Sequence, residues 1–248
     1  MNEDTKPSRR DFMATAAVGA GSLALSAAAS AAATTDAAKE TAMSTAPAFQ
    51  TSDKLKPLAF DPAKLTGLSE RLIRSHWENN YGGSVKALAV VKKRLGEALA
   101  DKDLPPYVYN DLKREHLLRT GSVVFHEHYF DNLGGGGKAG ASERQTIAQA
   151  FGSFDAWETE FRKIGAGLGG GSGWVMLGFN QHTRQLENYW LADHAHGPAA
   201  TTPILVMDMY EHSYQMDFGA AAAKYIDAFF QNVQWDVVAA RIASLPKA

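Results

Sequence analysis

The chain has no cysteine among its 248 residues. That excludes disulfides, thiolate chemistry and every cysteine-held zinc or iron–sulfur site, so any bound metal must rest on His, Asp and Glu. Net charge is scarce too, since 25 Lys and Arg against 27 Asp and Glu leave a formal charge of −2. A near-neutral chain offers no electrostatic footprint for nucleic acid or an anionic membrane. Long apolar runs are missing. The uncharged stretch 14–33 is built of Ala, Gly and Ser rather than Leu, which is too weakly apolar for a membrane span. The glycine-rich segments 134–137 and 165–173 lack the Lys-Ser/Thr of a phosphate loop, which argues against nucleotide binding.

What is present begins with an address. Ser8-Arg9-Arg10-Asp11-Phe12, the Ala-rich run behind it and Ala-x-Ala sites at 27–29 and 31–33 make up a twin-arginine export signal over 1–33. The expectation is a mature periplasmic chain with no membrane contact after cleavage. The signal carries Lys6, Arg9 and Arg10 against Glu3, Asp4 and Asp11, so its removal leaves the net charge unchanged. Residues 34–57 are small, polar and Pro-punctuated, and read as a leader or linker. Roughly 215 residues follow the signal, enough for one large domain or two small ones sharing an interface.

Over 58–137 the pattern is helical. Ser69 is a candidate N-cap for a helix carrying Leu72, Ile73, His76, Val85, Leu88 and Leu95, with Gly82-Gly83 marking a bend or close contact. Leu104-Pro105-Pro106 breaks it, and a second helix runs from about Tyr109 to Asn132 with Leu112, Leu117, Val123, Val124 and Tyr129 for its core. His126 and His128 lie about 200° apart on that helix and cannot share one mononuclear site. Over 138–248 helix and sheet mix. Ser142–Ala150 and Phe154–Ile164 read as helices capped by Ser142 and Ser153, and Gly173–Phe179 and Gln185–Asp193 as paired strands. Period two puts Leu186, Asn188, Trp190, Ala192 and His194 on one strand face. Pro198–Pro203 reads as a loop, Ile204–Asp208 as a buried strand, and 220–230 and 235–245 as closing helices.

Asp208-Met209-Tyr210-Glu211-His212 ends the last strand. A carboxylate at a strand end and an imidazole four residues on can point at one spot, a ligand mix suited to Mn, Fe or Zn rather than Ca or Mg. With His76, His126 and Gly171-Ser172-Gly173-Trp174 in that order, the chain resembles the iron/manganese superoxide dismutases from about Ser69 to Leu245. The resemblance implies an α+β fold: an N-terminal long helical hairpin, then a mixed α/β domain with a three-stranded antiparallel sheet. It also implies one Mn or Fe ion per subunit on His76, His126, Asp208 and His212, superoxide as substrate and a homodimer.

Beyond the ligands the family pattern is altered. The Gln that family members place beside the metal's solvent ligand is missing. Ser122 stands at its helix position and is too short for the role. His194 stands at its strand position, with His196 as the reserve. Asn80 and Tyr81 replace a His-His pair, Ser84 replaces a gating Tyr, and Tyr81 offers a phenol nearby. Phe130 and Tyr210 replace wall tryptophans. By resemblance Glu211 reaches the partner chain's last His ligand, and Asn80 faces Gln215 across the dimer. The rebuilt surroundings keep a second function in view, a non-enzymatic metal-binding protein, holding zinc for example, on the same scaffold.

Overall fold

The computed structural model describes residues 46–246; the expected twin-arginine signal and the first part of the expected leader lie outside the described residues. Pro47–Phe49 forms a 3-10 turn, and an extended segment leads to a second such turn at Pro62–Lys64. The first long helical stretch has three parts: α1 (Glu70–Ser75), a π-helical turn (His76–Tyr81) and α2 (Gly82–Ala100). Ser69 caps it as expected, accepting from Leu72 N–H. The wider π winding falls on the segment that carries His76 and was not foreseen. Such turns occur frequently at functional sites. At Gly82 the expected close contact is found. Leu55 of the preceding segment packs on it, and a Cβ there would lie 2.9 Å from Leu55 Cδ2.

The second long helix, α3, spans Pro106–Asp131, with Pro106 in its first turn, where a missing N–H costs nothing. It packs antiparallel to α2 as a hairpin. Two expected core positions are corrected: Leu117 and Val124 are 56% and 38% exposed, because the buried stripe runs through Ser122, Phe125, His126, Tyr129 and Phe130 instead. The glycines after α3 are not a free loop. Gly135 and Gly137 N–H donate to the carbonyls of Asn232 and Val233, and a Cβ on Gly135 would lie 2.3 Å from the Val233 oxygen.

α4 (Ala141–Phe151) is led in by Gly140 rather than Ser142, and α5 (Phe154–Leu168) is capped by Ser153, which accepts from Ala156 N–H. α5 runs a turn past Ile164, since Phe154, Trp157, Phe161, Gly165 and Leu168 keep helical spacing on its buried face. Strands β1 (Trp174–Asn180), β2 (Gln185–Leu191) and β3 (Thr201–Asp208) form an antiparallel sheet in the order β2-β1-β3. β3 starts before the expected loop ends, and Pro203 lies inside it. An edge strand tolerates that proline at a bulge, and the register with β1 shifts there, between Leu177 and Gly178. Trp190 is 59% exposed, so the strict alternation expected for β2 breaks before its end.

A 3-10 turn (Glu211–Ser213), α6 (Gln215–Phe218), α7 (Ala222–Gln231) and α8 (Trp235–Ala243) complete the described chain. Buried side chains from the hairpin, the sheet and the closing helices form one core cluster. The hairpin is tied to the rest by fully buried Asn132, which donates to Val206 O at 3.0 Å and accepts from Arg241 at 2.6 Å. No described helix is long and apolar enough to cross a membrane.

Candidate metal centre

The sheet sets the site. Trp174 at the start of β1 pairs with Asp208 on one side and Leu191 on the other, so the central strand holds both the carboxylate and the root of the His194 connection. Asp208 is fully buried. Its Oδ1 accepts from Tyr210 N–H at 2.8 Å, which turns Oδ2 toward the hairpin. Three imidazoles meet Oδ2: Nε2 of His76 at 3.1 Å, of His212 at 3.2 Å and of His126 at 3.6 Å. Ligand atoms of all four residues lie within 4.8 Å of one another.

The backbone under this group is held from behind. Tyr225 donates its hydroxyl to the Asp208 carbonyl at 2.7 Å, and the Ser213 hydroxyl bridges the carbonyls of Asp208 and Tyr210. His126 Nδ1 lies 2.7 Å from the Ser122 carbonyl. A carbonyl only accepts, so Nδ1 carries the proton and Nε2 presents a lone pair. Tyr225, Ser213 and the Ser122 carbonyl were missed at the sequence level, since no motif marks a hydrogen bond that closes only in the fold.

Electrostatics favour neutral His76 and His126 beside an ionised Asp208. Burial alone would raise the Asp208 carboxyl, but the His212 and His76 imidazoles hold it well below the usual carboxylate range. Burial lowers His76, and it pushes His126 down to about 3, with the neighbouring His76 adding to the shift. His76 Nε2 and His126 Nε2 are buried without a hydrogen-bond partner. His76 Nε2 is close to Asp208 Oδ2 in distance, yet its direction is not that of a hydrogen bond. Imidazole nitrogens converging on one carboxylate oxygen, two of them buried with no hydrogen-bond partner, fit a cation. Three nitrogens and one carboxylate oxygen suit Mn, Fe or Zn.

The surroundings divide. Trp174 Nε1 donates to His194 Nδ1 at 3.0 Å, and the His194 ring stacks on Tyr210, centroids 4.6 Å apart, and lies 5.8 Å from His126. His196 is exposed and bonded to Asp193 at 2.7 Å, so it is part of a turn and not a neighbour of the four. Tyr81 is buried but its hydroxyl is spoken for: it accepts from Lys56 N–H and donates to Glu127, both at 2.9 Å. Burial pushes it up to about 12. Ser84 and Ser122 form a buried hydroxyl pair at 2.8 Å. Phe130 lies 5.0 Å from the His76 ring. Asn80 is half-buried, and Glu211 and Gln215 are exposed.

Residues 139–241 match the family model described as iron/manganese superoxide dismutases, C-terminal domain. The iron superoxide dismutase of Cupriavidus metallidurans is 51% identical over 191 residues, covering 77% of this chain and 96% of that protein. The iron enzyme of Aquifex aeolicus is 32% identical, with 80% and 93% covered, and a manganese enzyme of Haloferax volcanii 29% identical, with 77% and 95% covered. Together with the cluster geometry, the sheet and the hairpin, these likenesses establish that the chain belongs to the iron/manganese superoxide dismutase family.

Proposed function

We propose that the protein is a superoxide dismutase with His76, His126, Asp208 and His212 holding one Mn or Fe ion per subunit. The observation that carries this is the convergence of three Nε2 atoms on Asp208 Oδ2, two of them buried without a hydrogen-bond partner. When bound, such an ion supplies one-electron chemistry, so that two superoxide anions and two protons become dioxygen and hydrogen peroxide. Three neutral imidazoles and a single carboxylate leave the centre net positive toward an anionic substrate. Trp174 can only donate, so His194 accepts at Nδ1 and, while neutral, carries its proton on Nε2. That N–H is the hydrogen-bond donor we assign to the solvent beside the metal, in place of the missing Gln. Trp174 and Tyr210 orient the ring.

The same reading takes the Ser8-Arg9-Arg10-Asp11-Phe12 segment as a twin-arginine signal that delivers the folded protein to the periplasm. It takes the exposed Glu211 and Gln215, with Asn80, as contacts to a second copy of the chain in a homodimer. One preparation tests all of it: the protein isolated from separated periplasmic and cytoplasmic fractions, with metal content, dismutation rate and mass in solution measured on the same sample. Near-stoichiometric Fe or Mn, activity proportional to that metal, a dimer mass and a periplasmic origin are expected. Stoichiometric zinc without activity after reloading with Mn or Fe would replace the enzyme by a metal-binding protein on the same scaffold.

A further inference from the structure

His194 lies past the end of β2, in the connection to β3, so nothing in the sheet ladder fixes it. A loop side chain keeps one direction only if its backbone is held. Besides the Tyr210 hydroxyl, which meets the His194 backbone, two contacts hold this one. On the α3 side stands Gly121, where a Cβ would lie 1.8 Å from the His194 carbonyl oxygen and 2.8 Å from its carbonyl carbon. Both are backbone atoms, which cannot swing aside as a side chain does. A glycine inside a helix is destabilising relative to alanine, and here its absent side chain is the space the connection occupies. On the other side, Asp193 Oδ1 accepts from Ala195 N–H at 2.6 Å and from the His196 ring at 2.7 Å, closing a tight turn around residue 194.

We propose that Gly121 and Asp193 are positioning residues, which together seat the His194 backbone so that its ring meets Trp174 Nε1 and faces the metal centre. Neither touches the four converging side chains. The inference rests on the reading of His194 as the hydrogen-bond donor beside the metal. It assigns the accuracy of that donor to a bare helix face and one carboxylate.

The test uses metal-loaded Gly121→Ala, Asp193→Ala, Asp193→Asn and His194→Ala proteins and the double variant Gly121→Ala/His194→Ala. Metal content, kcat and KM are measured, and the Trp174 indole N–H resonance is followed in the diamagnetic zinc-loaded form. Removing a preorganised donor costs about 100-fold or more in rate, so His194→Ala sets the limit. Displacing the ring by about 1 Å costs up to a similar factor. Gly121→Ala and Asp193→Ala are therefore expected to retain metal, lose kcat rather than KM, and move the Trp174 resonance toward its His194→Ala position. Asp193→Asn, which keeps an acceptor oxygen, restores most of the loss. The Gly121 change adds nothing once His194 is gone, since residues acting as one unit are not additive. An unmoved Trp174 resonance, or a further loss in the double variant equal to that in the parent, overturns the proposal. If Gly121→Ala does not fold, the Asp193 pair decides by the same readouts. A His194→Ala protein with parental kcat instead removes the donor role itself, whatever the other variants do.

Discussion

α3 carries two histidines two residues apart, and they have opposite fates. His126 faces the sheet, where Asp208, His76 and His212 meet it, and its Nδ1 is fixed by the Ser122 carbonyl. His128 faces the other way. Burial pushes it down to about 4, Arg241 and Lys56 adding to the shift, and its Nδ1 is buried without a partner, yet no other ligand atom joins it in a cluster among the described residues. Both are depressed, and each has a buried nitrogen with no partner. A site is therefore not a property of one buried imidazole. It needs donors from other elements to arrive at the same point, here one from the π-helical turn and two from the β3 end.

The largest expected effect comes from removing the point of convergence. Asp208→Asn keeps the shape but loses the charge that three imidazoles surround, and metal retention should fall well beyond the 10–100-fold typical of losing an outer hydrogen bond. Metal analysis after dialysis checks this, and a fully loaded Asp208→Asn protein would mean that the carboxylate is not the hub. Next comes the pair itself. His126→Ala should lose metal to a similar degree. His128→Leu should keep stoichiometric metal and melt within about 1 kcal/mol of the parent, since a volume-conserving apolar swap replaces an unsatisfied buried nitrogen. Equal metal loss in both would erase the distinction between the two faces.

The smallest effect is on the flank between them, where Tyr81 donates to Glu127. Its phenol ionises near 10 when unfolded and is pushed up to about 12 in the fold by burial. A raised folded pKa on an acid means that the unfolded state gives up its proton first. Stability is thus intact below pH 10 and falls as pH rises from 10 to 12. Tyr81→Phe should lose about 1 kcal/mol at neutral pH through its missing hydrogen bonds, keep its metal, and show a shallower alkaline decline in melting midpoint. An unchanged alkaline slope would place the responsible group elsewhere.

Much of the fold was legible because its signals are local. Ser69 and Ser153 cap their helices by a side-chain oxygen that reaches three residues ahead, and Pro105-Pro106 marks the hairpin turn through the missing N–H. Asp208 and His212 could be read as a pair because four residues separate a strand end from the first turn that follows. Other features escaped for a physical reason. The π winding at His76–Tyr81 depends on what packs against it, the exposure of Leu117 and Val124 on which side of α3 meets the sheet, and Pro203 in β3 on that strand being at the edge with a bulge. No periodicity records those neighbours.

The sequence by itself determined which chemistry was available: no thiol, a near-neutral chain, and histidines and an aspartate as the metal donors on hand. Those are properties of residue type and short spacing, and they survive unfolding. Only the tertiary structure decided which donors meet. His76 is brought to Asp208 across 132 residues of chain by the hairpin docking on β3, His128 is turned away by the same docking, and His194 comes to rest on a glycine 73 positions before it. Such approaches are set by the packing of elements against one shared core, and they exist only once that core has formed.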